Sequence, residues 1–209
     1  MPGLDFAMVV LAGGDARRLD GVDKASVTVG RTTLLERVLS AGAGAKRTIV
    51  VGPPRALPAG VWATREDPPG GGPVAALEAG LALVDEPVVV VLACDMPLVS
   101  ASTVKHLVNA LDQSLTPPEV SPWSAPDGAK PIDAVALIDD GRRRQPLAAS
   151  YRTAPLRAAL TALPTTRDAS MRALTHLLTV GELAIDPEQT LDCDTWADVQ
   201  RTRKILEES

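Results

Sequence analysis

Between positions 11 and 24 the chain reads Leu-Ala-Gly-Gly-Asp-Ala-Arg-Arg-Leu-Asp-Gly-Val-Asp-Lys, directly after an apolar run at 6–11. Glycine lets a backbone turn sharply and approach a ligand closely, because no Cβ intervenes. Successive backbone N–H groups in such a turn form an anion-binding concavity, and Arg17, Arg18 and Lys24 can neutralise phosphate charge. The chemistry this composition suits is the holding of a polyphosphate. Two better-known phosphate loops are excluded by spacing. Lys24 follows Asp23 rather than glycine, and no G-x-G-x-x-G occurs. An ordinary Gly-rich turn with solvated basic residues is the alternative.

Four further stretches carry residues of the right types. Arg65-Glu-Asp-Pro-Pro-Gly-Gly-Gly-Pro73 opens onto a helical pattern. Three consecutive glycines there, Gly72 the last, offer a second place where backbone N–H groups meet a ligand; a plain connection explains one or two glycines. Asp95 follows the apolar run Val-Val-Val-Val-Leu-Ala at 88–93, within Cys94-Asp-Met-Pro97. In open α/β sheets ligands bind past the carboxyl ends of strands, and a carboxylate there can hold a divalent cation. Alternatively Asp95 caps the next helix, although Ser100 and Ser102 are nearer caps. Arg142 to Arg144 form a basic patch before Gln145-Pro146-Leu147, either a solvated face or a contact for an anionic second substrate. Asp192 and Asp194 point the same way if their segment is extended, while Asp194 or Thr195 caps the terminal helix.

These residues need elements to position them. Continuous apolar runs at 6–11, 48–51 and 88–93 suit parallel strands covered on both faces. A shorter strand falls at 61–64, and later strands at 133–139, 146–151 and 179–184. The turn between 139 and 142 suits type I′ or related hairpin chemistry at Asp140-Gly141. Residues 25–29 read as a short extended piece. Helical spacing predicts helices at 33–43, 74–84, 102–111, 154–163 and 170–178, with a polar terminal helix to about 207. Residues 113–131, dense in proline, read as irregular. His106 reads as a surface residue and His176 as packed. The alternation predicts an α/β fold: a single three-layer Rossmann-like domain over 1–209, its mostly parallel sheet covered by helices on both faces.

Composition excludes several classes. At 209 residues the chain can bury a sizeable core, and with only 2% aromatics Val, Leu and Ala must pack it. A net charge of −5 argues against nucleic-acid binding. Cys94 and Cys193 are isolated, which disfavours a disulfide framework or zinc site. No apolar run is long enough to span a bilayer and no basic signal region precedes the first strand, so a cytoplasmic location is expected.

Taken together, Leu-Ala-Gly-Gly, the closing Gly-Val-Asp-Lys, Gly72-Pro-Val-Ala-Ala76 and Cys-Asp-Met-Pro resemble the molybdenum cofactor guanylyltransferases, nucleotidyltransferases of GT-A-like fold. The resemblance spans nearly the whole chain. It implies that Leu11, Ala12, Gly13 and Gly14 wrap the nucleotide, beside Asp67 and Gly72. Arg17, Arg18 and Lys24 would hold the triphosphate, and Asp95 would carry Mg²⁺. In the C-terminal half, Arg144, Gln145, Pro146, Asp192 and Asp194 would face the acceptor. The implied reaction moves GMP from GTP to Mo-molybdopterin and expels pyrophosphate. Implied partners include molybdoenzyme apo-proteins or other cofactor-biosynthesis proteins. The chain departs from the pattern at Gly52, where the family often has Asn, at Ala76 for Gly, and at Trp196 and Ala197 for Pro and Glu. Related cytidylyltransferases carry Leu-Ala-Ala-Gly, which favours guanine here. The alternatives are a cytidylyl- or sugar-phosphate transferase, or a non-catalytic binder that delivers GTP or cofactor.

Overall fold

The computed structural model describes residues 4–13, 19–113 and 131–208. Strand β1 (Phe6–Leu11) lies at the centre of a seven-stranded sheet with β4 (Arg47–Val51) on one side and β6 (Val88–Ala93) on the other. β5 (Val61–Thr64) extends the sheet beyond β4, while β8 (Arg144–Arg152), β7 (Ala134–Ile138) and β9 (Val180–Ala184) follow β6 in that order. β8 alone runs antiparallel to its neighbours β6 and β7. The sheet is therefore mostly parallel, as the apolar runs predict.

Alternate side chains of each central strand feed two cores. Met8, Val10, Val90 and Leu92 face Leu35 and Val38 of α1 (Leu34–Ala41) and Val104 and Leu107 of α3 (Ala101–Gln113). Ala7, Val9, Val89 and Val91 face Leu77 of α2 (Gly72–Leu81), Leu156 of α4 (Thr153–Ala162) and Leu174 of α5 (Met171–Thr175). Helices thus cover both faces. The aromatic-poor core packs closely enough that a Cβ on Gly80 of α2 would stand 2.7 Å from Val9 and 2.8 Å from Val51.

A third, smaller cluster matters most for the site. Leu19, Val27, Val29, Leu34, Cys193 and Val199 are buried together. They join the end of the Gly-rich loop, the hairpin β2 (Thr28–Val29) and β3 (Thr32–Thr33), and the start of α6 (Trp196–Glu208). The expected extended piece at 25–29 is shorter than predicted. Lys24–Ser26 form a 3-10 turn because the Asp23 side chain accepts from the Ala25 amide, leaving only Thr28 and Val29 as strand.

Local signals set several boundaries. Thr33 and Glu36 form a reciprocal capping box that starts α1. α2 begins at Gly72 rather than residue 74, since Gly71 serves as its N-cap and Pro73 fits its first turn. The 139–142 turn is not type I′. Its positive φ falls at Arg142 (56°), and the Arg142 amide donates to Asp139 O at 2.9 Å, the pattern of a longer hairpin loop. The proline-dense stretch lies largely outside the described residues.

Candidate functional site

The carboxyl ends of four parallel strands align at one edge of the sheet. Leu11 is in register with both Val51 and Ala93, and Val51 with Thr64. The chain passes from β1 outward to β4 and β5, then returns across β1 to β6. That reversal opens a crevice above β1 and β6, where open α/β sheets bind ligands. Backbone bonds extend the alignment one residue further. Cys94 N donates to Leu11 O at 3.0 Å, Ala12 N to Val51 O at 2.8 Å, and Gly52 N to Thr64 O at 3.0 Å.

The crevice is a cleft of about 530 Å³, within the range of small-molecule and cofactor sites. Leu11, Gly13, Lys24, Arg65, Gly72 and Asp95 are among its lining residues. The Gly-rich loop, the Gly70–Gly72 turn and the strand-end carboxylate, some 80 residues apart in sequence, therefore share one cavity. A second hollow of about 380 Å³ lies behind the loop and shares none of the predicted site residues.

Lys24 is the centre of the arrangement. Its ammonium donates to Asp95 Oδ2 at 2.6 Å and also to Asp194 Oδ1. Burial by itself would lower the Lys24 pKa, but Asp95 and Asp194 outweigh it and hold the group above its ordinary value. Asp194 is brought there by the third core cluster and by a backbone bond from Cys193 N to Asp95 O at 2.8 Å. The terminal helix takes Thr195 as its cap: the Asp198 amide donates to Thr195 Oγ1 at 3.3 Å, and the Asp198 carboxylate accepts from the Thr195 amide at 2.7 Å. The Asp194 carboxylate consequently turns to Lys24. Ser100 likewise caps α3, accepting from Thr103 N at 3.2 Å, so Asp95 is not consumed as a cap.

Asp192 is exposed beside this group. Partial desolvation, then repulsion from Asp194 and Asp95, raises its pKa above the ordinary 3.8. A raised carboxyl pKa means the folded state disfavours the ionised form, a cost present at neutral pH and absent below 3.8. Asp192→Asn is therefore expected to raise Tm slightly at pH 7, with the gain shrinking as the pH falls toward 4. Thermal melts across that range check it.

Burial pushes the Cys94 thiol up to about 12 and the Cys193 thiol up to about 11. Neither is ionised near neutral pH, so neither supplies a nucleophile. Among the described residues, no group of three or more His, Cys, Asp or Glu side chains is arranged to hold a metal ion unaided. The donor set is instead two hard carboxylates, Asp95 and Asp194, already converging on one positive charge. That set suits a magnesium-like ion which takes one or two protein carboxylates and completes its shell with phosphate oxygens and water.

Other predicted positions fall differently. Gly14, Arg17 and Arg18 lie outside the described residues. Asp67 is exposed and precedes a cis peptide bond to Pro68; its neighbours Arg65 and Glu66, which sequence reasoning did not single out, line the cleft. Arg144 pairs with Glu182 at 2.9 Å, Gln145 donates to Asp139 at 3.1 Å, and Pro146 O accepts from Tyr151 at 2.7 Å. From that stretch Leu147 is the residue that lines the cleft. The register of β7 against β8 slips between Ala136 and Leu137, which lets the β8 backbone bulge there.

Gly52 has a plain explanation. A Cβ there would stand 2.7 Å from the Ala12 carbonyl oxygen and 3.1 Å from Gly13 N, so the strand-end loop is seated directly on its backbone. Gly52→Ala is expected to displace residues 12–13 and to weaken nucleotide binding by roughly tenfold, the scale of one lost hydrogen bond to a charged group; isothermal titration checks it. Gly13 differs, because among the described residues a Cβ on it would meet only Gly52 Cα at 3.9 Å.

A mostly parallel sheet with a lysine and two carboxylates gathered at the strand ends defines an α/β protein with a ligand site of the switch-point kind. Residues 8–181 match the MobA-like NTP transferase domain, and the chain belongs to that family. A relative from Haloferax mediterranei, described as a probable molybdenum cofactor guanylyltransferase, is 32% identical over 111 residues, 48% of this chain. The matched part spans about half of that relative's length, 52%. Among solved structures, molybdopterin-guanine dinucleotide biosynthesis protein A from Archaeoglobus fulgidus superposes with a TM-score of 0.69 at 21% identity, covering 97% of this chain and 100% of the other. A 2-C-methyl-D-erythritol 4-phosphate cytidylyltransferase from Thermus thermophilus gives 0.68 at 19% identity, covering 98% and 100%. A Mycobacterium tuberculosis protein crystallised in complex with manganese also gives 0.68, at 21% identity over 97% and 99%. Among the described residues no helix is long and apolar enough to cross a membrane.

Proposed function

We propose that this protein transfers GMP from GTP to Mo-molybdopterin and releases pyrophosphate. The observation that carries the reading is the meeting of Lys24, Asp95 and Asp194, with Lys24 and Asp95 lining the same cleft as Gly13 and Gly72. In the reaction a phosphate oxygen of the acceptor attacks the α-phosphorus of GTP, and the bond from that phosphorus to the β-bridging oxygen breaks. Such chemistry calls for positioning and charge neutralisation rather than covalent help from the protein. The raised thiol pKa values of Cys94 and Cys193 fit direct transfer.

Lys24 holds negative charge that builds on the β- and γ-phosphates as pyrophosphate departs, with Arg17 and Arg18 assigned the same task by the motif. Backbone N–H groups at residues 11–13 and at the α2 N-terminus would meet the phosphates. Asp95 and Asp194 would hold a magnesium ion, which supplies Lewis-acid charge neutralisation at the reacting phosphate when bound. The acceptor takes the C-terminal side of the cleft, near Leu147, Asp192 and Asp194, and the nucleotide takes the N-terminal side.

Guanine is favoured by Gly13, where the related cytidylyltransferases carry alanine. The name of the Haloferax relative supports the same choice. The second reading, a cytidylyltransferase, draws on the comparable superposition of the Thermus enzyme. Pyrophosphate release with Mg²⁺ and Mo-molybdopterin, offered GTP or CTP in turn, tests the proposal. Release with GTP alone is expected. Release with CTP alone would transfer the assignment to the second reading. No release with either, alongside intact GTP binding, would make the protein a nucleotide carrier.

A further inference from the structure

We propose that Arg55 is a positioning residue that clamps the neck of the phosphate loop. This rests on the reading of residues 11–24 as the loop that holds nucleotide phosphates. Arg55 lies in the connection after β4, outside every motif the sequence singles out. Its Nη2 donates to the Ala12 carbonyl at 3.0 Å, its Nη1 stands 3.2 Å from an Asp23 carboxylate oxygen, and its Nε donates to Pro53 O at 3.3 Å. Ala12 precedes Gly13 at the start of the loop, and Asp23 precedes Lys24 at its end. One planar guanidinium thus joins the two ends of a long loop and anchors both to the β4 connection.

The Arg55 side chain is 13% exposed and Asp23 is 52% exposed, so the bond to the Ala12 carbonyl is the better shielded of these contacts and the one to Asp23 the more screened by solvent. Asp23 is doubly used, since it also caps the turn that carries Lys24. Loss of the clamp therefore reaches Lys24 through Asp23, and reaches Gly13 through Ala12. Arginine is required because only its fork presents several fixed donors; lysine offers a single point charge. The guanidinium does not line the nucleotide cleft. It lines the 380 Å³ hollow behind the loop, together with Asp23, Leu35, Glu36 and Leu57. That hollow gives a small added guanidinium a route to the vacated place in a truncated variant.

The test uses the full chain and three readouts. Binding of GTP, CTP and inorganic tripolyphosphate is measured by calorimetry with Mg²⁺. Amide hydrogen exchange is followed at Val22, Ser26 and Val27, whose amides bond within the loop end. Pyrophosphate release gives KM and kcat. Arg55→Met is expected to weaken nucleotide and tripolyphosphate binding by roughly tenfold, to speed exchange at those amides, and to leave exchange in β1 and β6 unchanged. Asp23→Asn should give a similar loss, and the double variant should lose little more than either alone. Millimolar ethylguanidinium should restore part of the binding to Arg55→Ala, which a merely structural role would not show. Arg55→Lys, should the methionine variant fold poorly, is expected to keep the fold and still to bind nucleotide and tripolyphosphate several-fold more weakly than the parent.

Wild-type affinity in Arg55→Met or Arg55→Lys overturns the clamp, as does unchanged exchange at Val22, Ser26 and Val27. Should the parent protein take up none of the three ligands, the phosphate-loop reading fails. The exchange readout then decides the clamp by itself, faster exchange upholding it as a brace of the loop and unchanged exchange removing it.

Discussion

Asp95→Asn is expected to lower pyrophosphate release by roughly 10³-fold, at the upper end of what removal of one charge-stabilising group costs. The substitution preserves shape and the backbone bond that Cys193 N makes to residue 95. It removes one of two carboxylates that converge on the cationic centre and halves the protein's share of any ion's ligands. GTP binding should fall far less, because in the proposed reading the loop and Lys24 would hold the phosphates without help from Asp95. Folding should survive, since Lys24 keeps its bond to Asp194 and the amide of Asn can still accept from it. The measurement is single-turnover pyrophosphate release beside calorimetric binding. Parent-like turnover in Asp95→Asn would remove the residue from the site.

Lys24→Met carries the second large effect, and it moves two observables in opposite directions. Pyrophosphate release is expected to fall by roughly 10²-fold, because no positive charge then meets the departing phosphates at that point. Binding of Mn²⁺ without nucleotide is expected to tighten by roughly tenfold, the scale of a unit charge at contact distance after solvent screening. The reason is geometric. In the free protein the Lys24 ammonium occupies the space between Asp95 and Asp194 that an ion needs. Lys24→Arg, which retains the charge, should show no such tightening. Electron paramagnetic resonance of free Mn²⁺ reads it directly, and equal affinity in parent and Lys24→Met would refute the competition.

The same pair fixes a pH expectation. The Lys24 pKa is raised in the folded state, so its contribution to stability is fully present below the ordinary value of 10.5 and is lost only as pH rises past it. Activity limited by Lys24 should therefore show no basic limb between pH 7 and 9.

Much of this arrangement was legible in the linear chain because it depends on local runs. β1 and β6 begin and end where the apolar stretches do, since a strand buried on both faces must be apolar throughout; β5 falls where expected too, although it is a partly exposed edge strand. Lys24 and Asp95 were visible for the same reason: each follows a strand that the runs define, and a parallel sheet brings strand ends to one edge. Residues 142–146 illustrate the limit. Their basic and polar types suited an anionic acceptor, yet Arg144 and Gln145 are taken by Glu182 and Asp139, and a slip in register places Leu147 in the cleft instead.

By itself the sequence determined the order of strands and helices, the Gly-rich loop and the strand-end carboxylate, because each follows from propensity and pattern within a few residues. Only the tertiary structure decided that Asp194 meets Lys24, that Thr195 rather than Asp194 caps the last helix, and that Arg55 grips Ala12 and Asp23. Those outcomes rest on the small cluster of Leu19, Val29, Leu34, Cys193 and Val199, and on backbone bonds between segments about a hundred residues apart. Contacts of that kind are set by how buried faces close on one another, which no local spacing encodes.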